Sequence, residues 1–138
     1  MAFYEEENWP KDRWPNFSIK ELQCSHTGLC NIDEDMMDKL QGLRNEVGTS
    51  LVITSGYRDA THPVEAGKSA PGTGSHCQGK AIDIRCSGAT AFMVVEKAIS
   101  LGFTGIGISQ QGNLNSRFIH LDTLDDTGLV PRPTIWSY

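Results

Sequence analysis

The chain has 138 residues and a formal net charge of −5, from 12 Lys and Arg against 17 Asp and Glu. That length suits one compact domain, residues 1–138, with a hydrophobic core, and is too short for two ordinary domains. The basic residues are scattered, which argues against nucleic acid, and no apolar run approaches the ~20 residues of a membrane span.

Residues 1–16 contain three consecutive acids, two tryptophans and two prolines without periodicity. They are expected to form an extended arm whose Trp9 and Trp14, with Phe17, pack onto the domain. The first residues lack the charged and apolar regions of a signal peptide, so synthesis in the cytoplasm is expected. Ser18 and Glu21 have the spacing of a capping box and predict a short helix to about Cys24. Gly28 and Cys30 are placed in a loop. Asp33 then caps a helix in which Met36, Met37, Leu40, Leu43 and Val47 recur at helical spacing, with Gly48 as its stop.

Cys24, Cys30, Cys77 and Cys86 would permit two disulfides, but a chain of this length folds without them. Cys24, His26 and Cys30 fit no standard zinc spacing and lack a clear fourth ligand. Buried thiols or one local disulfide is the simpler reading.

Residues 51–54, Leu-Val-Ile-Thr, predict a buried strand that runs into the S-G-Y-R turn at 55–58. Residues 61–74 look like a long loop, broken by Pro63, Gly67, Pro71, Gly72 and Gly74, and loops of that length are commonly functional. The loop ends in T-G-S-H-C-Q-G-K-A-I-D-I-R, residues 73–85. His76 lies at its glycine-rich end. Asp83 lies in an alternating strand, on the face opposite Ile82 and Ile84. Ser87 caps a third predicted helix with Phe92, Val95, Ala98, Ile99 and Leu101 on its buried side and Gly102 as its stop.

Residues 105–109, Gly-Ile-Gly-Ile-Ser, predict a strand whose glycines leave one face bare, as happens where another group approaches closely. A turn around 110–113 leads to the strand R-F-I-H-L-D at 117–122. There Ile119 and Leu121 take the core face, so Phe118, His120 and Asp122 share the other. The expected fold class is α+β: a small antiparallel sheet with helices on one face and a zinc cleft on the other.

His76, Asp83 and His120 are the candidate metal ligands. Two imidazoles and one carboxylate suit a catalytic zinc site, which uses three protein ligands and keeps a fourth position for water. A lone strand histidine is usually a satisfied core or surface residue, but three such residues on one predicted face are not explained that way. Gly79 and Ala81 read as clearance around the metal. Cys77 would be the fourth ligand if the zinc were purely structural. Arg58, on a tight turn after a strand, can aim its planar fork at a carboxylate. A salt bridge to Asp59 or another acid explains it about as well. Tyr57 either lines the cleft or packs.

S-G-Y-R at 55–58, S-H-C-Q-G-K-A-I-D-I at 75–84 and F-I-H-L-D at 118–122 occur in order and at suitable separations. Together they resemble the zinc D-alanyl-D-alanine carboxypeptidase family, which includes phage and bacterial peptidases that cut peptidoglycan stem peptides. The S-x-H-x-x-G-x-A-x-D pattern is matched at Ser75, His76, Gly79, Ala81 and Asp83. The likeness runs from the Ser18 helix to the closing R-P-T-I-W-S-Y, and is strongest to short phage-type members. The signalling domain of hedgehog proteins is similar to the same scaffold.

The resemblance implies one zinc ion on His76, Asp83 and His120. It implies Arg58 on a substrate carboxylate or developing oxyanion, with Tyr57, Ser75 and Trp136 beside the substrate. It also implies a peptidoglycan stem peptide as partner, acted on at the cell wall. A substrate outside the membrane and no export signal suit a phage endolysin, or equally a chain trimmed of its signal, and a monomer is expected. Both carboxypeptidase and L-Ala–D-Glu endopeptidase activity fit. The chain departs from its relatives at one point. Many have a catalytic carboxylate three residues before the last ligand, where Arg117 stands here, and others have a histidine two before it, where Phe118 stands. Asp122 is then the candidate general base, taking a proton from the attacking water and passing it to the leaving amine. A role in orienting a ligand is its equal alternative. His62 is a weaker candidate for the base. Loss of the upstream carboxylate also suits a non-catalytic zinc-containing binding module on the same scaffold.

Overall fold

The computed structural model describes residues 2–68 and 72–138. Met1 and Pro71 therefore lie outside the described residues. Near the N-terminus, β1 (Ala2–Tyr4) pairs antiparallel with β2 (Cys30–Ile32), so the arm is partly a strand and Cys30 is not in a loop. The backbone of residues 2–4 finds its partners in that ladder, a requirement that a composition without periodicity does not reveal. Tyr4, Trp9 and Trp14 form an aromatic cluster with ring centroids 5.1–5.6 Å apart. Trp14 is fully buried, and its indole N–H donates to Asp38 Oδ1 at 2.9 Å. Burial of such rings contributes strongly to stability, and the donated hydrogen bond removes the cost of a buried N–H.

Helix α1 (Ile19–Leu22) begins at Ser18, where both halves of the predicted capping box form. Helix α2 (Glu34–Val47) starts where Asp33 Oδ2 accepts the Met36 N–H at 3.0 Å and ends at Gly48. Its Met36, Met37, Leu40, Leu43 and Val47 are all buried, as the spacing predicts.

The second sheet has the order β3-β4-β6-β5-β7, from β3 (Val52–Ser55), β4 (Ala81–Arg85), β5 (Gly105–Ser109), β6 (Phe118–Asp122) and β7 (Thr134–Ser137). The pairs are antiparallel except β5–β7, which is parallel. β7 is an element that the sequence reading did not place. β3 is an edge strand with Val52 44% exposed, not the buried strand expected. β-branched residues signal a strand but do not fix its depth in a sheet.

The segment 61–74 is not all loop. α3 (Pro63–Ala66) forms there, with Pro63 at its first turn and His62 Nδ1 accepting the Val64 N–H at 3.1 Å. Proline suits that position because its missing N–H would have no helical partner.

α4 (Gly88–Leu101) packs against α2 and β6 through Ala91, Val94 and Ala98. Phe92 and Ile99, expected on the buried side, are 73% and 61% exposed. Ser87 stands at the N-cap position, but its side chain makes no capping bond. The helix is apolar over much of its circumference, so periodicity alone did not single out the face one residue away. α2 and α4 together cover the apolar side of the sheet. Among the described residues no helix is long and apolar enough to cross a membrane.

Candidate metal centre

Strand register assembles the site. Ser55 pairs with Asp83, Asp83 with His120, His120 with Gly107, and Gly107 with Trp136, so one transverse row crosses the whole sheet. Paired residues on neighbouring strands project to the same face. His76 reaches this row from the turn before β4. Its carbonyl accepts both the Arg58 N–H at 3.2 Å and the Gly79 N–H at 3.1 Å. Gly79 has φ +68, a left-handed conformation that glycine adopts without strain, so it serves the turn and not only clearance.

One ligand atom each from His76, Asp83 and His120 lies within 4.8 Å of the other two. Asp83 Oδ1 is 3.4 Å from His76 Nε2 and 3.1 Å from His120 Nδ1. The outer nitrogens are already committed. His76 Nδ1 lies 2.8 Å from the Gly56 carbonyl, an acceptor only, so that nitrogen carries the proton. His120 Nε2 lies 2.8 Å from Asp122 Oδ2 and donates to it. Both remaining imidazole lone pairs therefore face the Asp83 carboxylate. Three electron-pair donors turned on one point could hold a cation between them, and two imidazoles plus a carboxylate match the donor set of a catalytic zinc site. The residues fit the metal.

Burial would raise the Asp83 carboxyl, but His120 and His76 hold it well below the usual carboxylate range. Burial would lower His120, yet Asp122 and Asp83 raise it.

Asp122 is fully buried behind His120, on the side away from Asp83. Arg132 grips it with two bonds, Nε to Oδ1 at 2.9 Å and Nη2 to Oδ2 at 2.8 Å, and the Leu124 N–H adds a third at 3.3 Å. Burial would raise this carboxyl, but His120 and Arg132 lower it to about 2. Gly105 makes the room, since a Cβ there would stand 2.3–2.5 Å from the Asp122 carboxylate. Gly107 does the same for Trp136, whose indole would lie 2.7–2.9 Å from an added Cβ. The bare glycine face thus receives a carboxylate and an indole.

The cleft over His76, Asp83 and His120, about 390 Å³, is lined by Arg58, Ser75 and Lys68 and by Phe118, Trp136 and Tyr138. The structure brings Arg58, Ser75 and Trp136 together here with the three candidate ligands. It does not bring Tyr57 or His62. Tyr57 is buried in the core with its hydroxyl 3.4 Å from Asp59, and His62 caps α3 and faces Ser25 Oγ at 3.3 Å. Arg58 bonds Glu65 and Ser55, not Asp59. The Cys77 thiol donates to Glu65 at 2.8 Å, and all four cysteines are unpaired thiols. Burial and Glu65 push Cys77 up to about 12.

Glu65, Lys68, Arg132 and Tyr138 were not anticipated as site residues. H-P-V-E at 62–65 carried the start signal of a helix, and R-P-T-I-W-S-Y carried Arg132 and Tyr138. No curated protein matches the chain. The Peptidase M15 family model matches residues 15–122, from the Trp14–Phe17 segment through the last ligand strand, and the chain belongs to the Peptidase M15 family.

Proposed function

We propose that the protein is a zinc-dependent peptidase that hydrolyses peptidoglycan stem peptides. The observation that carries this reading is the convergence of two imidazole lone pairs on Asp83, beneath an open cleft. Family membership supports a metallopeptidase, and zinc suits this donor set. A zinc ion held by His76, Asp83 and His120 would polarise a scissile carbonyl and lower the pKa of water to roughly 7.

The chain's own residues do the rest. The Gly56 carbonyl and Asp122 fix which nitrogen of each histidine faces the cleft. Arg132 keeps Asp122 ionised and still. Fully buried and bonded on both oxygens, Asp122 suits orientation of His120 better than proton transfer, so we assign it the orienting role. Arg58 presents its guanidinium to a substrate carboxylate or a developing oxyanion, and Ser75 borders the same space. Phe118, Trp136 and Tyr138 form an aromatic wall against which a peptide packs and water is excluded. Removal of a terminal D-alanine and cleavage between L-alanine and D-glutamate both belong to this reading. The likeness to short phage-type members supports a lysis enzyme, acting at the cell wall, as the setting.

The test is digestion of purified peptidoglycan and synthetic stem peptides by the zinc-loaded protein, with and without a chelator, with fragments identified by mass spectrometry. The expected result is chelator-sensitive product whose mass identifies the bond cut. No such product from any stem chemotype would overturn the reading. A second reading is favoured by the engagement of both Asp122 oxygens, which leaves that carboxylate no free site to take a proton: a zinc-containing module that binds stem peptide without cutting it. Saturable binding without product would select it.

A further inference from the structure

Glu65 is fully buried in a segment that otherwise faces solvent. A buried carboxylate is costly unless its charge is paired and its oxygens are bonded. Both conditions are met. The Cys77 thiol donates to Oε1 at 2.8 Å, Lys68 Nζ stands 2.6 Å from Oε2, and Arg58 Nη1 stands 3.4 Å from the same oxygen. Burial would raise this carboxyl, but Cys77, Lys68 and Arg58 hold it below its usual range, so it carries its charge at neutral pH.

Two cations thus share one carboxylate oxygen, and both line the cleft over the metal ligands. Arg132, the third cation there, is matched by Asp122. The Arg58–Lys68–Glu65 group carries one positive charge in excess. Its cationic heads are not fully withdrawn, since the Arg58 and Lys68 side chains are 17% and 46% exposed while Glu65 is 0% exposed. Arg58 is steadied further by Ser55 Oγ at 3.1 Å. The loop closes over the group at Gly74, where an added Cβ would stand 2.9 Å from Glu65 Oε1 and 3.3 Å from Lys68 Nζ. This is a built corner and not a chance surface pair.

We infer that Lys68 is a substrate-binding residue and Glu65 a positioning residue, the buried carboxylate holding Arg58 and Lys68 together as a two-cation receptor for one carboxylate of the substrate. The inference rests on the peptidase reading and deepens it. A stem peptide offers two such groups, the α-carboxylate of γ-linked D-glutamate and the terminal carboxylate of D-alanine, and the receptor chemistry is common to both.

The test uses the zinc-loaded full chain and three synthetic stem pentapeptides: one unmodified, one amidated at the D-glutamate α-carboxylate and one amidated at the C-terminus. Turnover gives kcat and KM, and calorimetry gives affinity for the same peptides. Lys68→Ala is expected to raise KM for the unmodified peptide about 10- to 100-fold, the loss typical of one charge-assisted hydrogen bond, with kcat little changed. The same variant should act within about threefold of wild type on whichever amidated peptide lacks the recognised carboxylate, and that peptide names the source. Lys68→Arg should restore most of the loss. Glu65→Gln should weaken the unmodified peptide more than the amidated one. If it does not fold, the Lys68 variants decide alone.

Equal loss on all three peptides, or no loss on any, would overturn the inference. If the wild type turns over none of them, the peptidase reading falls, and the calorimetric ranking of Lys68→Ala against wild type decides the inference by itself.

Discussion

Trp136 occupies the space that a side chain on Gly107 would need: a Cβ there would meet the indole at 2.7–2.9 Å. The two residues are partners in the parallel β5–β7 ladder, and the same indole packs 5.2 Å from the His120 ring. Gly107→Ala should therefore displace Trp136 and loosen one wall of the cleft. Overpacking of this kind costs about 1–3 kcal/mol. Urea denaturation should show that loss, and tryptophan emission should shift as the indole becomes exposed. Trp136→Ala in the Gly107→Ala background should recover part of the stability but not the activity.

Metal binding should be measurable apart from catalysis. The donor set predicts one zinc per chain, and zinc binding should stabilise the fold by mass action. At free zinc about a thousandfold above Kd, the stabilisation is roughly 4 kcal/mol, read as a chelator-sensitive rise in the thermal midpoint. His76→Ala and Asp83→Ala should abolish that response while keeping the far-UV circular dichroism of the wild type. A wild-type midpoint indifferent to both zinc and chelator would count against the site.

The pairing of Asp122 with Arg132 and His120 predicts an acid-limb signature. The Asp122 carboxyl sits at about 2 in the folded chain against an ordinary 3.8. A depressed folded-state pKa contributes stability that is present above about pH 4 and lost as pH falls towards 2. The shift corresponds to about 2 kcal/mol. Asp122→Asn should lack this component, so the stability difference between wild type and variant should shrink as pH falls from about 4 to 2. At neutral pH the variant should be about 3–5 kcal/mol less stable, because Arg132 is left as a partly unmatched buried charge. It should also bind zinc roughly 10- to 100-fold more weakly, the usual effect of removing a ligand's orienting partner. A variant with unchanged zinc affinity would remove the orienting role.

Much of the centre was legible because strand alternation has a period of two. Asp83 opposite Ile82 and Ile84, and His120 opposite Ile119 and Leu121, left little freedom about their common face. The glycines of 105–109 announced a close approach but not the approaching groups, because Trp136 arrives on a parallel strand from the chain's end. Glu65 was hidden by composition: a glutamate between prolines and glycines looks solvated, and although Lys68 is a local i,i+3 partner, only the fold carries Cys77 and Arg58 to it. Asp122 was assigned the correct face, yet its partner Arg132 lies ten residues further on, across an irregular segment. Face is local information; partnership across loops is not.

Phe92 and Val94 separate the two faces of α4. Phe92 is 73% exposed and Val94 is fully buried against the sheet and α2. Apolar content alone ranks Phe92 as the larger core contributor. Exposure reverses that order, because a side chain already in water loses little on truncation. Phe92→Ser should change stability by no more than about 0.5 kcal/mol, as for ordinary surface positions. Val94→Ala should cost about 1–3 kcal/mol, from lost transfer energy and the void left in close packing. Both are read as shifts in the urea midpoint at constant slope. A larger loss from Phe92→Ser than from Val94→Ala would place the buried face of α4 at Phe92, Val95, Ala98, Ile99 and Leu101, as the helical spacing predicts.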